Sequence, residues 1–250
     1  MDTWILLRGL TRESRHWGRF VAQFQHAMPS SLIVVLDLPG NGLLNQERSP
    51  LRVQGMVAHC RAQLAMREIK PPYHVLAMSL GAMVAVQWCH AHPLEVSANV
   101  LINTSMRPFN PFYQRLQPAN YGELLKLTVL GASPEIWERT VLRLTSNRAD
   151  EAVLPQWLAL RRENPVSRAN TLRQLVAAAR FRAPRRRPAS PTLVLTSEQD
   201  HLVSVECSRA LAKHWQCALR VHVSAGHDLP LDDGPWVADQ VRNWMIDGFR

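Results

Sequence analysis

Tyr73-His74-Val75-Leu76-Ala77-Met78-Ser79-Leu80-Gly81-Ala82-Met83-Val84-Ala85-Val86 is the stretch that decides the fold. Tyr73 to Ala77 is short, apolar and uncharged, as expected of a strand buried on both faces. Leu80 to His92 carries helix formers and stops at Pro93. Between them only two residues are left for the turn. A strand that passes so abruptly into a helix lifts the Ser79 side chain above the edge of a sheet. Small residues two positions before and after it, Ala77 and Gly81, let the strand and helix pack without a clash. A serine at a helix start is also a common cap, so the turn gains meaning only from what lies around it.

Working outward, the same short apolar runs recur at Trp4–Leu7, Leu32–Leu36, Asn99–Ile102, Thr192–Leu195 and Leu219–Val223. Helical spacing separates them, over His16–His26, Val53–Met66, Ser204–Trp215 and Trp236–Phe249. Strands alternating with helices predict βαβ units and a mostly parallel sheet flanked by helices. The rhythm breaks in the middle. From Arg107 to Arg187 helical patterns run over 121–130, 134–144, 150–160 and 167–179, punctuated by seven prolines. The expected organisation is one α/β core from residues 1–106 and 188–250, with residues 107–187 inserted as a helical lid.

The lid segment holds fifteen Lys/Arg against six Asp/Glu, so the whole net charge of +9 lies in it, and the remaining chain is balanced. A solvated basic helical surface explains this, as does an acidic partner. Arg185-Arg186-Arg187 lacks interleaved aromatic residues, which speaks against nucleic acid. No apolar run is long enough for a membrane span. The Met1-Asp2-Thr3-Trp4 start carries neither the basic nor the apolar region of a leader. The cysteines at 60, 89, 207 and 217 form no CxxC pair, so reduced thiols in a cytoplasmic protein are expected. Asp37-Leu38-Pro39-Gly40-Asn41-Gly42 reads as a structural turn, because no Gly-Lys-Ser/Thr follows to make a phosphate loop. His90 and His92 lack further ligands for a metal.

A serine hydroxyl needs a base to take its proton, and the base needs an orienting carboxylate. His227 follows the last strand, and Asp200 follows the fifth. Both lie where chain leaves the carboxyl ends of strands, the ligand side of an open parallel sheet. Glu198, Asp228 and Asp233 remain alternative carboxylates. Donors for a developing oxyanion are expected from the backbone N–H groups of Leu80 and Leu10. Gly9 permits close approach of the first loop. Arg8 is a candidate substrate contact, or the partner of a surface carboxylate.

The loop Arg8-Gly9-Leu10, the turn 37–42, the Ser79 turn, Asp200 and Gly226-His227 resemble the α/β-hydrolase superfamily over nearly the whole chain. The family usually has His-Gly where this chain has Arg8-Gly9, and Gly where it has Ala77. The first strand of the sequence resembles the family's third, so no counterpart of the usual first hairpin is expected. The layout is similar to small lidded esterases, including the type that demethylates a pimeloyl ester on acyl carrier protein. The resemblance implies a serine hydrolase acting on a carboxylic ester or thioester without a cofactor. The same site could transfer an acyl group to another acceptor, or the fold could serve as a non-catalytic binding protein. The basic lid, with Arg161 and Arg162, makes an acidic acyl carrier a candidate partner.

Overall fold

The computed structural model describes residues 2–148 and 151–249. Its strands are β1 Thr3–Leu7, β2 Leu32–Leu36, β3 Tyr73–Met78, β4 Val96–Ile102, β5 Thr192–Ser197 and β6 Ala218–His222. They form one sheet in the order β2-β1-β3-β4-β5-β6, and each pairing is parallel. Parallel neighbours need crossovers. These are made by α1 Phe20–Ala27, α2 Val53–Met66, α3 Leu80–Ala91 and α9 Val205–Trp215, and α10 Leu229–Ile246 follows β6. Between β4 and β5 lie α4 Phe112–Arg115, α5 Tyr121–Leu125, α6 Pro134–Thr145, α7 Leu154–Glu163 and α8 Arg168–Arg180.

Strand pleating sends alternate side chains to opposite faces, and the core divides accordingly. Ile5, Leu7, Val75 and Ala77 pack with α2, α3 and α9 on one face. Trp4, Leu6, Leu76 and Met78 pack with α1 and α10 on the other. Helix α3 lies deepest, with Leu80 to Val86 all buried. That explains why its sequence shows no polar stripe.

All six strands lie where the sequence places them, though β4 starts earlier and β6 is shifted by one residue. Two helices differ more. His16–His26 is broken, because Gly18 adopts φ 51° between a short turn at Ser14–Trp17 and α1. The last helix begins at Leu229 rather than Trp236 and kinks at Asp233, whose carboxylate accepts from the Trp236 N–H at 3.1 Å and caps the second part. The kink falls where Pro235 has no N–H to give the preceding turn. The expected helix 150–160 is observed as α7, and its first residue lies outside the described residues.

The segment between β4 and β5 leaves and returns at one place. The Ala183 N–H donates to the Arg107 carbonyl at 2.7 Å. Helix α8 is seated on the core by buried amides. Gln174 accepts from the Thr11 N–H and donates to Asn41, at 2.9 and 2.8 Å. The turn 37–42 supplies the seat, so it is a structural turn. At Gly40, with φ 91°, an added Cβ would meet Asn170 at 2.8 Å.

The tightest backbone approach in the core is at Gly81, where a Cβ would fall 2.6 Å from the carbonyl oxygens of both Leu7 and Arg8. Gly81→Ala must push α3 away from β1. A loss of about 1–3 kcal/mol or more is expected, read as a lower denaturant midpoint at constant slope.

Candidate active site

Because the strands are parallel, the loops after β1, β3, β5 and β6 open on the same sheet edge. This brings Arg8-Gly9-Leu10, Ser79, Asp200 and His227 together. Ser79 has φ 53° and ψ −117°, a conformation that costs a residue with a side chain of order 1–3 kcal/mol. The surroundings enforce it. The Ser79 N–H is held by the Ile102 carbonyl at 3.0 Å, and Thr104 Oγ1 donates to the Ser79 carbonyl at 3.3 Å. A Cβ on Gly9 would lie 3.1 Å from the Cβ of Ser79, so the first loop lies directly against the serine. Leu80 opens α3, and its N–H is among those a helix start leaves without an intrahelical partner. Leu10 and Leu80 both line the cavity that Ser79 and His227 share.

His227 Nδ1 lies 2.7 Å from Asp200 Oδ2, with both residues buried. Asp200 is fixed in turn, since its Oδ1 accepts from the N–H groups of Leu202 and Val203 at 2.8 and 2.9 Å. Burial alone would push the His227 pKa down. The charge and hydrogen bond of Asp200, with the charge of Asp228, outweigh it and raise the pKa above the usual histidine value. The other carboxylates are engaged elsewhere. Asp228 is bound to Arg8, Asp233 meets His222 Nε2 at 3.2 Å, and Glu198 pairs with Arg209. Asp200 is thus the acid at the His227 ring.

Sequence reasoning missed Asn103. This buried residue, at φ 43°, joins three strand ends. Its Nδ2 donates to the carbonyl of His227 at 2.8 Å, and its Oδ1 accepts from the Ser197 N–H at 3.0 Å. The available signal was a lone Asn at the end of a strand rich in apolar residues, where a polar side chain must find partners.

Arg8 is buried, and its two terminal nitrogens grip both oxygens of buried Asp228 at 3.0 and 2.5 Å, with the guanidinium over the Trp17 ring. The expected surface carboxylate is therefore a buried one, and the charge of Arg8 is already matched before any substrate arrives. Arg12 makes a similar pair with Glu138 of α6 at 2.5 Å and stacks on Trp157. Arg161 also binds Glu138, at 3.1 Å, and lies over Trp137. That corrects the outward-facing role expected of Arg161, since only Arg162 of the two is exposed.

The cavity has a volume of about 560 Å³. Its wall combines the strand ends with side chains of α4, α5, α6 and α8, among them Phe112, Leu124, Trp137 and Val141. No group of three or more potential metal ligands occurs among the described residues. None of their helices is long and apolar enough to cross a membrane. Cys60 and Cys207 are buried, and burial pushes both thiols up to about 12, which leaves them unreactive.

The model of the alpha/beta hydrolase family matches residues 4–240. The chain belongs to the alpha/beta hydrolase family. Solved structures agree on the fold. An esterase from Thermogutta terrifontis is 18% identical, with a TM-score of 0.75 over 100% of this chain and 91% of that one. A meta-cleavage product hydrolase from Pseudomonas fluorescens is 15% identical, with a TM-score of 0.77 over 99% and 92%. A hydrolase from Pseudomonas aeruginosa is 18% identical, with a TM-score of 0.75 over 98% and 89%. No curated protein matches the chain. Family membership supports hydrolase activity in general terms, and the spread of these neighbours leaves the reaction type to the site itself.

Removing either partner of the Arg8–Asp228 pair leaves a buried charge alone, which typically costs about 3–5 kcal/mol. Arg8→Met should therefore be strongly destabilised. Arg8 lowers the His227 pKa, so its loss should also raise that pKa. Paired thermal melts and a histidine NMR titration check both outcomes.

Proposed function

We propose that this chain is a serine hydrolase that cleaves a carboxylic ester or thioester through an acyl-enzyme. The observation that carries the reading is the 2.7 Å contact of His227 with buried Asp200, beside a serine held at positive φ in the same cavity. Ser79 Oγ attacks the acyl carbon while His227 Nε2 takes its proton. The N–H groups of Leu80 and Leu10 receive the charge that develops on the carbonyl oxygen. His227 returns the proton to the leaving alcohol or thiol. A water then attacks the acyl-enzyme, gives a proton to His227, and releases the acid and free Ser79. Asp200 keeps the proton on Nδ1 and stabilises the imidazolium.

Residues 107–187 act in this reading as a lid. The support is that α4, α5, α6 and α8 furnish much of the cavity wall and that both ends of the segment meet at Arg107 and Ala183. Excluding water around the acyl group strengthens every charge interaction inside. The lid's exposed cations, Arg162 and Arg185–Arg187 among them, leave an acidic acyl carrier as a candidate source of the ester. A carrier-bound substrate would then slow more with salt than a free ester of the same acyl group.

Ser79→Ala should lower ester turnover by about 10⁴–10⁶-fold and abolish labelling by a fluorophosphonate, with an unchanged melting temperature. Retained activity or labelling in that variant excludes Ser79 as nucleophile. The base must be neutral to accept a proton. Since the His227 pKa is raised, kcat/KM in the wild type should rise with pH through a midpoint above about 6.5. Asp200→Asn removes the charge that raises it. The midpoint should fall, and kcat should drop by about 10³–10⁴-fold. A pH–rate profile of both proteins reads the shift.

A further inference from the structure

Three arginines line the cavity, and they are not alike. Arg8 is matched by Asp228, and Arg12 by Glu138. Arg115, at the end of α4, has no such partner among the described residues. Its Nη2 donates to the Ala178 carbonyl of α8 at 2.9 Å. Its Nε is enclosed without a hydrogen bond, whereas Nη1 is neither enclosed nor bonded to any described residue. No carboxylate of the described residues acts on it. The groups that do are the Cys207 thiol and another cation, Arg107. Burial pushes the guanidinium down from its usual pKa, which marks an environment that resists an uncompensated charge. Both of its neighbours in the chain are apolar or amide residues, and α4 carries no acid of its own.

A half-buried cation without a counter-ion is costly to keep. The cost falls when a ligand brings the anion. With Nη2 on the Ala178 carbonyl and Nε enclosed, Nη1 is the nitrogen left to donate, and a charge-assisted hydrogen bond to one carboxylate oxygen suits it. The place is right for a group on the substrate. Thr104 Oγ1 donates to the Ser79 carbonyl, and Oγ of the next residue, Ser105, donates to the Arg115 carbonyl, both at 3.3 Å. Arg115 is thus tied to the serine turn by two adjacent residues. The wall of the cavity that both residues line includes the apolar Met78, Leu116 and Val203, which suit a short methylene chain.

We propose that Arg115 is a specificity residue that receives the free carboxylate of a dicarboxylic acid monoester, with the esterified end presented to Ser79. The inference rests on the hydrolase reading for its chemistry. Water and the monoester give the dicarboxylate and an alcohol. The binding of the carboxylate itself does not depend on that reading.

The test compares monomethyl glutarate and monomethyl adipate with their dimethyl esters, which have the same chain without the charge. The wild type should favour the monomethyl ester in kcat/KM by about 10–100-fold, the range expected for a hydrogen bond to a charged group. In Arg115→Gln that ratio should collapse toward one, mainly through KM, and Arg115→Lys should restore part of it. A wild type that treats both esters alike overturns the proposal, as does an Arg115→Gln ratio equal to that of the wild type. A second measurement is independent of turnover and uses Ser79→Ala titrated with glutarate or adipate by calorimetry. Binding should be weakened about 10–100-fold in Ser79→Ala/Arg115→Gln, and partly restored with Lys. If dicarboxylate binding depends on Arg115 but no ester is hydrolysed, the anion site stands and the hydrolase reading falls. If esters are hydrolysed without preference and dicarboxylates do not bind, the hydrolase reading stands and the anion site falls.

Discussion

The carbonyl oxygens of Leu7 and Arg8 lie so close to Gly81 that no side chain fits between them, and Gly9 presses on Ser79 from the same side. The contact between the end of β1 and the turn leading into α3 sets the geometry of the whole site. It requires glycine at position 81, leaves little room for a side chain at position 9, holds Ser79 in a conformation that a free chain avoids, and brings Leu10 and Leu80 to the same cavity as the serine. Strain of this kind persists only where the surroundings over-determine it. Here the surroundings are the central strands of the sheet, buried on both faces. The sheet core therefore supplies the stability, and the serine turn draws on it.

Above that sheet edge lies a layer of buried charge. Arg8–Asp228, Arg12–Glu138–Arg161 and His227–Asp200 all sit there, and three tryptophans cover the guanidinium faces. Buried ion pairs add little net stability against an apolar alternative, but breaking one is expensive. Their effect is to fix geometry. Glu138 belongs to α6 and Arg12 to the loop after β1, so that pair holds the inserted helices on the core in one arrangement. The Arg8–Asp228 pair does the same for the residue next to His227. It also mutes the second carboxylate near the ring, leaving Asp200 as the main source of the raised pKa.

The strand positions were legible because burial on both faces leaves short charge-free runs, and parallel order then places every strand-end loop on one edge. Ser79, Asp200 and His227 could be read from those loops without coordinates. The sequence favours Asp200 but leaves Asp228 open as an alternative. Two long-range contacts separate them, His227 with Asp200 and Arg8 with Asp228, the latter pair 220 residues apart. Asn103 was hidden for a similar reason, since its partners come from β5 and the loop after β6. The break at Gly18 was local, but the apolar periodicity running through it masked it, and Pro230, Gly234 and Pro235 hid the part of the last helix that precedes Trp236.

Charge summed along the chain conceals the direction in which each cation points. The inserted segment carries the whole excess of +9, yet its arginines do different things. Arg139 and Arg143 spend their charge on exposed neighbours of the same segment, Glu135, Glu151 and Glu123. Arg161 turns inward onto Glu138. Arg185 to Arg187 face solvent, where water and salt screen them. Arg115 is in none of these situations, because it borders the apolar cavity with no carboxylate of the described residues acting on it. A surface cation needs no partner, and a paired one already has it. A cation at the wall of a substrate cavity interacts most strongly with what enters, since low local polarity strengthens each charge. One arginine so placed therefore bears more on substrate choice than the larger number that gives the segment its net charge.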